Sequence, residues 1–433
     1  MHISRTSWKN EEDDVNILVI GSGGREHALF WKLSESPQTE QIYAIPGNPG
    51  MGGMIDIPVT DHAAILRFVR EKEIGLVVVG PEVPLMNGLV DELEGAGISA
   101  FGPRANAAEI EGSKSFAKNL MKKYGIPTAR YEVFTEAESA RAYIRREGAP
   151  IVIKADGLAA GKGVIVAMTE QEALDAVDAI MEDNSFGDAG ARVVIEEFME
   201  GEEASLLAFT DGKVIRPMIS AQDHKRVYDG DRGPNTGGMG TYAPAPVMTP
   251  EMTERAVEEI LKPTIAAMEK EGRTYRGCLY LGLMITSDGP KVVEFNARFG
   301  DPETQVVLPL LDGDLVQIML ACTDGTLADV PIHWKDGAAV CVVLAAGGYP
   351  GLYEKGHEIH GIENAEKTGA LVFHAGTAQQ GGKVVTNGGR VLGVVGRGED
   401  IASAVQSAYA AADQISFRDV FCRRDIAHRA LNR

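Results

Sequence analysis

The stretch that decides the fold reads Lys291-Val-Val-Glu-Phe-Asn-Ala-Arg-Phe-Gly-Asp-Pro-Glu-Thr-Gln305. Its apolar start predicts a short strand, on which Glu294, Asn296 and Arg298 alternate onto one face. Mg²⁺ prefers oxygen ligands and is usually held by one or two carboxylates together with substrate phosphates. The planar guanidinium of Arg298 suits a charged oxygen beside the metal. We therefore predict Glu294 and Asn296 as metal ligands, although a solvated polar face of an edge strand would show the same pattern.

A glycine-rich segment upstream predicts a phosphate-binding loop. Residues 150–166 show the pattern of a strand, a turn and a second strand, and Lys154 ends the first strand. Gly157, Gly161 and Gly163 would let backbone N–H groups come close to phosphate oxygens, and Lys154 would add a point charge. The segment is not a Walker A loop, because GxxxxGK[ST] is absent. An ordinary hairpin turn is the alternative.

A third segment, at the end of a strand, reads Glu196-Glu-Phe-Met199 and continues into an acidic loop. The backbone of this segment can hydrogen-bond an adenine edge while the Phe198 ring and the Met199 thioether cover the base. A carboxylate of the acidic loop can accept hydrogen bonds from ribose hydroxyls. The predicted contacts are Glu196, Glu197, Phe198, Met199 and Glu203. Acidic loops are usually only solvated, so the order of the three segments carries the argument: a lysine and glycine loop, an adenine hinge, then a metal strand.

That order resembles the ATP-grasp enzymes. Several motifs are similar to those of the phosphoribosylamine–glycine ligase family, namely GSGGREHA, PGNPG, KADGLAAGKGV, QDHKRVYDGDRGPNTGGMG and EFNARFGDPETQ. The resemblance runs from about Val15 to Ile426. It implies an enzyme of purine biosynthesis that joins glycine to 5-phospho-β-D-ribosylamine through glycyl phosphate, with ATP as substrate and Mg²⁺ or Mn²⁺ as the metal.

The resemblance also implies roles for single residues. Lys114 and Lys154 would bind the ATP phosphates. Arg298 would stabilise the transferring phosphoryl group, and Asp301 would orient phosphoribosylamine. Further contacts to that substrate are expected at the strand ends of the first sheet: Gly24, Arg25, Glu26, Asn48, Pro49, Gly50 and Glu82.

A polar central loop, Gln222–Gly240, is too rich in charge and glycine for a core element. Lys225 and Arg226 could meet the nucleotide phosphates, with Asp223 near the glycine amine, unless the loop is only a solvated surface segment. One position departs from the family pattern, since Ala427 stands where the family commonly has Gly.

Many ATP-grasp enzymes carry a further acidic metal ligand on the strand before the metal strand. Here that strand, Tyr280–Met284, contains no acid, an absence that the resembling family shares. The metals would therefore depend on ATP phosphates and water.

Strand and helix patterns predict an α/β protein. Alternating strands and helices from Asn16 predict a parallel sheet with ligands beyond the carboxyl ends of its strands. Together with the resemblance, this gives a disordered extension at 1–14, an N-terminal parallel α/β domain at 15–114 that binds phosphoribosylamine, a two-lobed ATP-grasp domain at 115–325 with a lid at about 130–200, and a small C-terminal α+β domain at 326–433. Within these we expect a helical stretch at 105–124, a helix at 250–270 kinked at Pro263 and a short strand around Ile359.

The composition of the chain limits the classes of molecule that the protein can be expected to bind. The net charge of −20 argues against nucleic acid, which needs a basic surface. Four scattered cysteines without a CxxC pattern predict reduced core thiols, and no apolar run is long enough to span a bilayer. We expect a cytoplasmic enzyme with small-molecule substrates, either a monomer or a small homo-oligomer.

A dinucleotide site is the main rival for the first sheet. Gly21-Ser-Gly-Gly24 follows a strand and opens a helix, but Glu26 takes the third glycine position and no acid ends the second strand. The helix N-terminus then suits a phosphate group of a smaller ligand. An NAD-dependent oxidoreductase is thus disfavoured. Another ATP-grasp carboxylate–amine ligase of purine synthesis, biotin carboxylase and a nucleotide sensor without turnover stay open.

Overall fold

The computed structural model describes residues 14–157, 163–183 and 187–433. Its first elements are β1 (Val15–Gly21), α1 (Gly24–Ser34), β2 (Thr39–Pro46), α2 (His62–Glu71), β3 (Ile74–Val79), α3 (Glu82–Met86), α4 (Leu89–Gly95) and β4 (Ser99–Phe101). The strands form one sheet in the order β2-β1-β3-β4, and all neighbours are parallel. Both faces of this sheet are buried, because Leu18 and Ile20 pack into one core cluster while Ile17 and Val19 pack into another. The predicted parallel α/β sheet is confirmed.

An antiparallel sheet follows. Its region contains α5 (Ala105–Gly112), α6 (Lys114–Tyr124), β5 (Tyr131–Phe134), α7 (Ala137–Glu147), β6 (Ile151–Ala155), β7 (Val164–Ala167), α8 (Glu170–Met181) and β8 (Val193–Glu197). The sheet order is β5-β8-β6-β7, and α7 and α8 pack on it through an apolar cluster. The helical stretch at 105–124 is confirmed as two helices. They separate at Ser113, which leaves the helical conformation and caps α6 by accepting from the N–H of Phe116 at 3.1 Å.

The second lobe carries the strand predicted to bind the metal, β16 (Gly289–Asn296), called the metal strand below. Its elements are β9 (Glu202–Thr210), β10 (Ile215–Pro217), β11 (Gln222–Asp223), β12 (Arg226–Tyr228), β13 (Arg232–Asn235), β14 (Gly240–Ala243), α9 (Pro250–Ala256), α10 (Lys262–Lys270), β15 (Gly277–Thr286) and β16 (Gly289–Asn296). The antiparallel sheet runs β10-β9-β15-β16. Between α9 and α10 lies a π-helical turn, Val257–Leu261. Pro263 lacks the N–H that would donate one turn back, and the π-helical turn ends two residues before it. The kink expected at Pro263 stays a prediction.

The C-terminal sheet includes β11 from the central loop and β14, which begins at the last residue of that loop. Its remaining elements are α11 (Thr304–Val307), β17 (Leu311–Asp312), α12 (Leu315–Asp324), β18 (His333–Trp334), β19 (Ala338–Ala345), α13 (Ile362–Glu366), β20 (Leu371–His374), β21 (Thr377–Gln380), β22 (Lys383–Thr386), β23 (Arg390–Gly398), α14 (Ile401–Ala412) and α15 (His428–Leu431). The order is β11-β14-β19-β23-β20. Around Ile359 the chain forms only isolated bridges, at Glu358 and His360, rather than the expected strand.

Two further expectations concern membranes and thiols. None of the helices in the described ranges is long and apolar enough to cross a bilayer. All four cysteines are free thiols, as predicted, and Cys278, Cys322 and Cys341 are buried.

Candidate active site

A cavity of about 110 Å³ lies where α6, β6 and β16 meet. Its polar lining combines three lysines with acids and an arginine: Lys114, Lys118, Lys154, Glu82, Glu111, Glu196, Glu294, Asn296 and Arg298. The structure thus brings together the predicted phosphate-binding lysines and the predicted metal strand, although they lie far apart in the sequence.

The metal strand presents oxygen donors to this cavity. Glu294 and Asn296 both line it, and they stand on β16 at the alternate positions that the sequence predicted. Within the described ranges no three His, Cys, Asp or Glu residues are placed to hold a metal without other ligands. A carboxylate and a carboxamide facing several lysines suit a hard cation that shares its shell with phosphate oxygens. The donor set therefore fits Mg²⁺ or Mn²⁺ bound together with a nucleotide.

Arg298 is held by two carboxylates. Its Nη2 lies 2.8 Å from Oε1 of Glu111, and its Nε lies 3.2 Å from Oε2 of Glu82. Burial raises the pKa of Glu111. Burial would also raise the pKa of Glu82, but the charges of Arg298 and Arg25 and the hydrogen bonds to this carboxylate together outweigh burial and lower that pKa. Sequence reasoning missed Glu111, because nothing in α5 marks which acid faces inward.

Two of the three lysines, Lys118 and Lys154, share the buried carboxylate of Glu196. Glu196 Oε1 lies 2.9 Å from Nζ of Lys154, and Oε2 lies 2.9 Å from Nζ of Lys118. Burial would raise the pKa of Glu196, but the two lysine charges lower it. Burial lowers the pKa of Lys118 to about 8. Lys118, one helical turn after Lys114, is a site residue that sequence reasoning missed; the i, i+4 spacing was the available signal.

The glycine loop is described only at its ends. Gly157 has φ +140°, its carbonyl accepts from Nζ of Lys114 at 2.8 Å, and Gly163 lines the cavity. Burial lowers the pKa of Lys114. Gly161 lies outside the described residues, as do its neighbours from 158 to 162.

The predicted adenine hinge leaves β8 beside the cavity. Phe198 and Met199 are half-buried. Glu197 turns away from the cavity, since its Oε2 lies 2.6 Å from Nε of the exposed Arg130. Glu203 pairs with Lys225, with Oε2 2.8 Å from Nζ.

In the first sheet, Glu26 ties the β1–α1 turn together. Its Oε2 accepts from the N–H of Gly23 at 2.7 Å, and its Oε1 lies 2.5 Å from Nε of Arg25. A Cβ at Gly21, where φ is +123°, would collide with this carboxylate. Glu26 therefore fills the space that a dinucleotide fingerprint keeps open with glycine.

The same turn docks on the segment after the metal strand. Arg25 donates from Nη1 to the carbonyl of Phe299 at 3.2 Å. Asp301 lies close to Gly23, because a Cβ there would stand 3.5 Å from Asp301 Oδ2. A Cβ at Gly24 would come within 2.6 Å of Nε2 of Gln305. The structure thus brings Gly24 and Arg25 of α1 close to the segment that contains Asp301.

Asn48 is buried and uses its amide within the fold. Its Nδ2 donates to the carbonyls of Ser22 at 2.8 Å and His374 at 2.9 Å, and its Oδ1 accepts from the N–H of Gly50 at 3.0 Å. Asn48 therefore braces the Asn48-Pro49-Gly50 turn against the β1–α1 turn.

Asp301 has two partners from the C-terminal half. Its Oδ1 accepts from Nε2 of Gln305 at 3.0 Å and lies 3.3 Å from Nη1 of Arg390. Burial would raise the pKa of Asp301, but the charges of Arg390 and Arg25 outweigh it and lower that pKa. Arg390, at the start of β23, was also missed by sequence reasoning.

Of the three residues predicted in the central loop, Lys225 pairs with Glu203 at 2.8 Å and Asp223 ends β11 beside it, although neither lines the cavity. Asp223 stands close enough to Lys225, Glu303 and Glu203 to feel their charges; burial raises its pKa to about 7, against the effect of Lys225. Arg226 points along its own hairpin, where Nη1 donates to the carbonyl of Gly233 at 2.7 Å.

A sequence model of an ATP-grasp domain that matches residues 112–304 first defines a class, the ATP-grasp enzymes. The biotin carboxylase domain of 2-oxoglutarate carboxylase from Hydrogenobacter thermophilus shares the fold, with a TM-score of 0.71 over 94% of this chain and 91% of that one, at 17% identity. That likeness concerns architecture alone.

The family follows from closer comparisons. Sequence models of phosphoribosylglycinamide synthetase match residues 15–111 (N domain), 112–304 (ATP-grasp domain) and 339–429 (C domain). Phosphoribosylamine–glycine ligase of Mesorhizobium japonicum is 55% identical over 97% of this chain and 99% of the relative. A crystal structure of phosphoribosylamine–glycine ligase from Thermotoga maritima has a TM-score of 0.85 and 40% identity, and covers 95% of this chain and 100% of that one. The chain belongs to the phosphoribosylglycinamide synthetase family.

Proposed function

We propose that this chain joins glycine to 5-phospho-β-D-ribosylamine, giving N1-(5-phospho-β-D-ribosyl)glycinamide, ADP and phosphate. It is an ATP-dependent carbon–nitrogen ligase of purine biosynthesis, as the relative that is 55% identical over nearly the whole chain supports. One observation carries the assignment: Arg298 contacts Glu82, the first residue of α3 at the edge of the first sheet, at 3.2 Å while it lines the lysine-rich cavity. The regions that we propose for ATP and for phosphoribosylamine therefore meet at the guanidinium of Arg298.

The chemistry requires activation, because a carboxylate is an unreactive acyl donor. A glycine carboxylate oxygen attacks the γ-phosphorus of ATP, and the bond from that phosphorus to ADP breaks. The amine of phosphoribosylamine then attacks the carbonyl carbon of glycyl phosphate. The tetrahedral intermediate expels phosphate, and the amine nitrogen loses a proton. Positioning and charge stabilisation supply most of the catalysis in such a sequence.

Charged groups on three elements serve the first step. Lys114, Lys118 and Lys154 would bind the ATP phosphates, and Arg298 would stabilise the transferring phosphoryl group. Glu294 and Asn296 would hold Mg²⁺ or Mn²⁺, which supplies charge neutralisation at the phosphates when bound. The hinge residues Phe198 and Met199 would cover adenine, with Glu203 near the ribose.

The second step draws on the first sheet. Gly24 and Arg25, at the N-terminus of α1, would receive the phosphate of phosphoribosylamine, and Glu82 would accept from its ribose hydroxyls. Asp301 would aim the amine. Asp223 would contact the glycine amine; it stands at the end of β11, two residues before Lys225, which pairs with Glu203 at 2.8 Å.

The domain limits belong to the same proposal. We assign phosphoribosylamine binding to 15–114, the ATP-grasp unit to 115–325 with its lid at about 130–200, and a separate C-terminal unit to 326–433. The expected extension at 1–14 falls almost wholly on residues 1–13, outside the described residues. A cytoplasmic monomer or small homo-oligomer completes the proposal.

An ADP-release assay tests the function. Purified protein is given ATP, Mg²⁺, glycine and freshly made phosphoribosylamine, and each component is omitted in turn. We expect ADP release to need all four. Release that continues undiminished without glycine would overturn the proposal.

A further inference from the structure

The C-terminal segment Arg423–Arg433 lies against the hairpin formed by β12 and β13, and the proposed function uses neither. Arg423 anchors the contact. It is 1% exposed, and its guanidinium donates twice to the carboxylate of Asp425 at 2.8 Å and once to Asp231 Oδ1 at 2.8 Å. Its Nη1 also donates to the carbonyl of Arg226 at 3.1 Å. A buried charge with this many partners fixes the geometry of both chain segments.

Other contacts join the same two segments along their length. The N–H of Gly230 donates to Asp425 Oδ2 at 2.8 Å, the N–H of Arg424 donates to Asp229 Oδ1 at 2.8 Å, the N–H of Ala427 donates to His224 Nε2 at 2.9 Å, and Arg429 Nη2 lies 2.7 Å from Asp231 Oδ2. The N–H of Gly230 and the carbonyl of Arg226 are backbone groups of the hairpin, so the segment holds the hairpin backbone at two points.

His224 connects this contact to the site. It stands between Asp223 and Lys225, and neighbouring side chains of an extended segment point to opposite sides. The imidazole is buried against Ala427, whereas Nζ of Lys225 lies 2.8 Å from Glu203 Oε2. Displacing His224 would therefore displace both site residues beside it.

We propose that the segment Arg423–Arg433 is a positioning element for Asp223 and Lys225, and that Arg423 is its principal positioning residue. Arg423 touches no substrate and acts through the hairpin and His224. The inference rests on the proposed function, in which Asp223 contacts the glycine amine.

The test compares Arg423→Met with Arg424→Met in the full chain. The control removes the same charge at the next position, but the Arg424 side chain is 59% exposed and pairs with Asp413 on the surface. Initial rates are measured against glycine at saturating ATP and phosphoribosylamine, at a temperature where melting curves show each variant folded. A fluorescent ATP analogue reports nucleotide affinity separately.

For Arg423→Met we expect kcat/KM for glycine to fall on the order of 10- to 100-fold, as a displacement of about 1 Å produces. The Kd of the ATP analogue should change by a much smaller factor, because the three proposed phosphate-binding lysines lie on α6 and β6 and only Glu203, which pairs with Lys225, links this segment to the nucleotide. A purely structural Arg423 would lower the melting temperature and leave the glycine parameters equal to those of Arg424→Met.

Asp231→Asn is a second variant that tests the positioning role even if Arg423→Met does not fold. Asp231 has φ +53°, a conformation that Asn tolerates well, and the change weakens the pairing of both Arg423 and Arg429. We expect a smaller loss in the same parameter. Folded variants that match Arg424→Met in kcat/KM for glycine would overturn the positioning role. Failure of the proposed function would show separately, as ADP release by wild-type protein without glycine.

Discussion

Glu111 and Arg298 form a buried ion pair in which Oε1 lies 2.8 Å from Nη2, and Oε2 of the same carboxylate accepts from the N–H of Ala297 at 2.7 Å. One side chain of α5 therefore holds both the backbone and the head group of the segment that follows the metal strand. Arg298 also contacts Glu82, so its position depends on acids from two helices.

Replacing Glu111 tests this arrangement. Glu111→Gln keeps the size and one acceptor but leaves Arg298 with one carboxylate fewer. We expect kcat to fall on the order of 10- to 100-fold through mispositioning. We also expect the free energy of unfolding to fall by about 1–3 kcal/mol, since a buried charged bond is weakened. Steady-state rates and urea unfolding measure both.

Glu109→Gln is the matched control. Glu109 lies in the same helix and pairs with Arg273 at 2.5 Å, at a partly exposed position. A partly exposed ion pair contributes about 0–1 kcal/mol, so kcat should be normal. A wild-type kcat in folded Glu111→Gln would show that Arg298 needs no support from α5.

Asp301→Asn separates the two half-reactions. If Asp301 aims phosphoribosylamine, the variant should lose kcat/KM for that substrate on the order of 10²–10³-fold, in line with losing one preorganised charge contact. Nucleotide affinity should stay normal, because Asp301 does not line the ATP cavity. A structural Asp would instead cost about 0.5–2 kcal/mol of stability. Early melting combined with a normal kcat/KM at a permissive temperature would remove Asp301 from the site.

Acid should destabilise the protein through buried neutral histidines. Burial, together with the nearby charge of Arg423, lowers the pKa of His224 to about 3, well below the 6.5 of an unfolded histidine. The unfolded chain therefore binds the proton first, and stability falls as pH drops from 6.5 toward 3. Each such histidine contributes up to about 1.4 kcal/mol per pH unit in that window.

The measurement compares urea unfolding of wild type and His224→Gln at pH 7.5 and pH 5. Gln keeps an acceptor for the N–H of Ala427 but does not titrate. The variant should lose less stability between the two pH values than wild type does. Equal losses would mean that His224 takes no part in the acid response.

The backbone conformation at Ala427 explains why the family commonly has Gly at this position. It has φ +69°, a left-handed conformation in which glycine is unstrained. Ala427→Gly should therefore raise the free energy of unfolding by about 0.5–1 kcal/mol. Ala430→Gly, within α15, should lower it by about 0.5–1 kcal/mol. Destabilisation by both changes would show that packing of the Ala427 methyl outweighs the strain.

Local patterns predicted the parts of the site that lie on one strand or turn. The alternation of Glu294 and Asn296 follows from strand geometry, whereas Arg298, expected on the same strand, lies two residues after β16 ends and still lines the cavity. The glycines around Gly21 follow from the turn they make. Residues that meet across the fold could not be found this way. Glu111 and Arg298 are 187 positions apart, and only the packing of α5 on β16 places them together.

The central loop shows a second limit of prediction from local sequence patterns. Its polar, glycine-rich sequence argued against a core element, yet Gln222, His224 and Met239 of this loop are buried, and β11 joins the C-terminal sheet beside β14. Strand pairing over a long sequence separation depends on neighbours that a local pattern does not contain. The same applies to Arg390, which reaches Asp301 from the start of β23.

Transfer of ¹⁸O from glycine tests the central claim most directly. Glycine labelled in both carboxylate oxygens is incubated with the protein, ATP, Mg²⁺ and phosphoribosylamine, and the phosphate and glycinamide products are analysed by mass spectrometry. Ligation through glycyl phosphate predicts one ¹⁸O in each phosphate released and one retained in the amide carbonyl. Phosphate that carries no ¹⁸O while the glycinamide product accumulates would contradict phosphorylation of the glycine carboxylate.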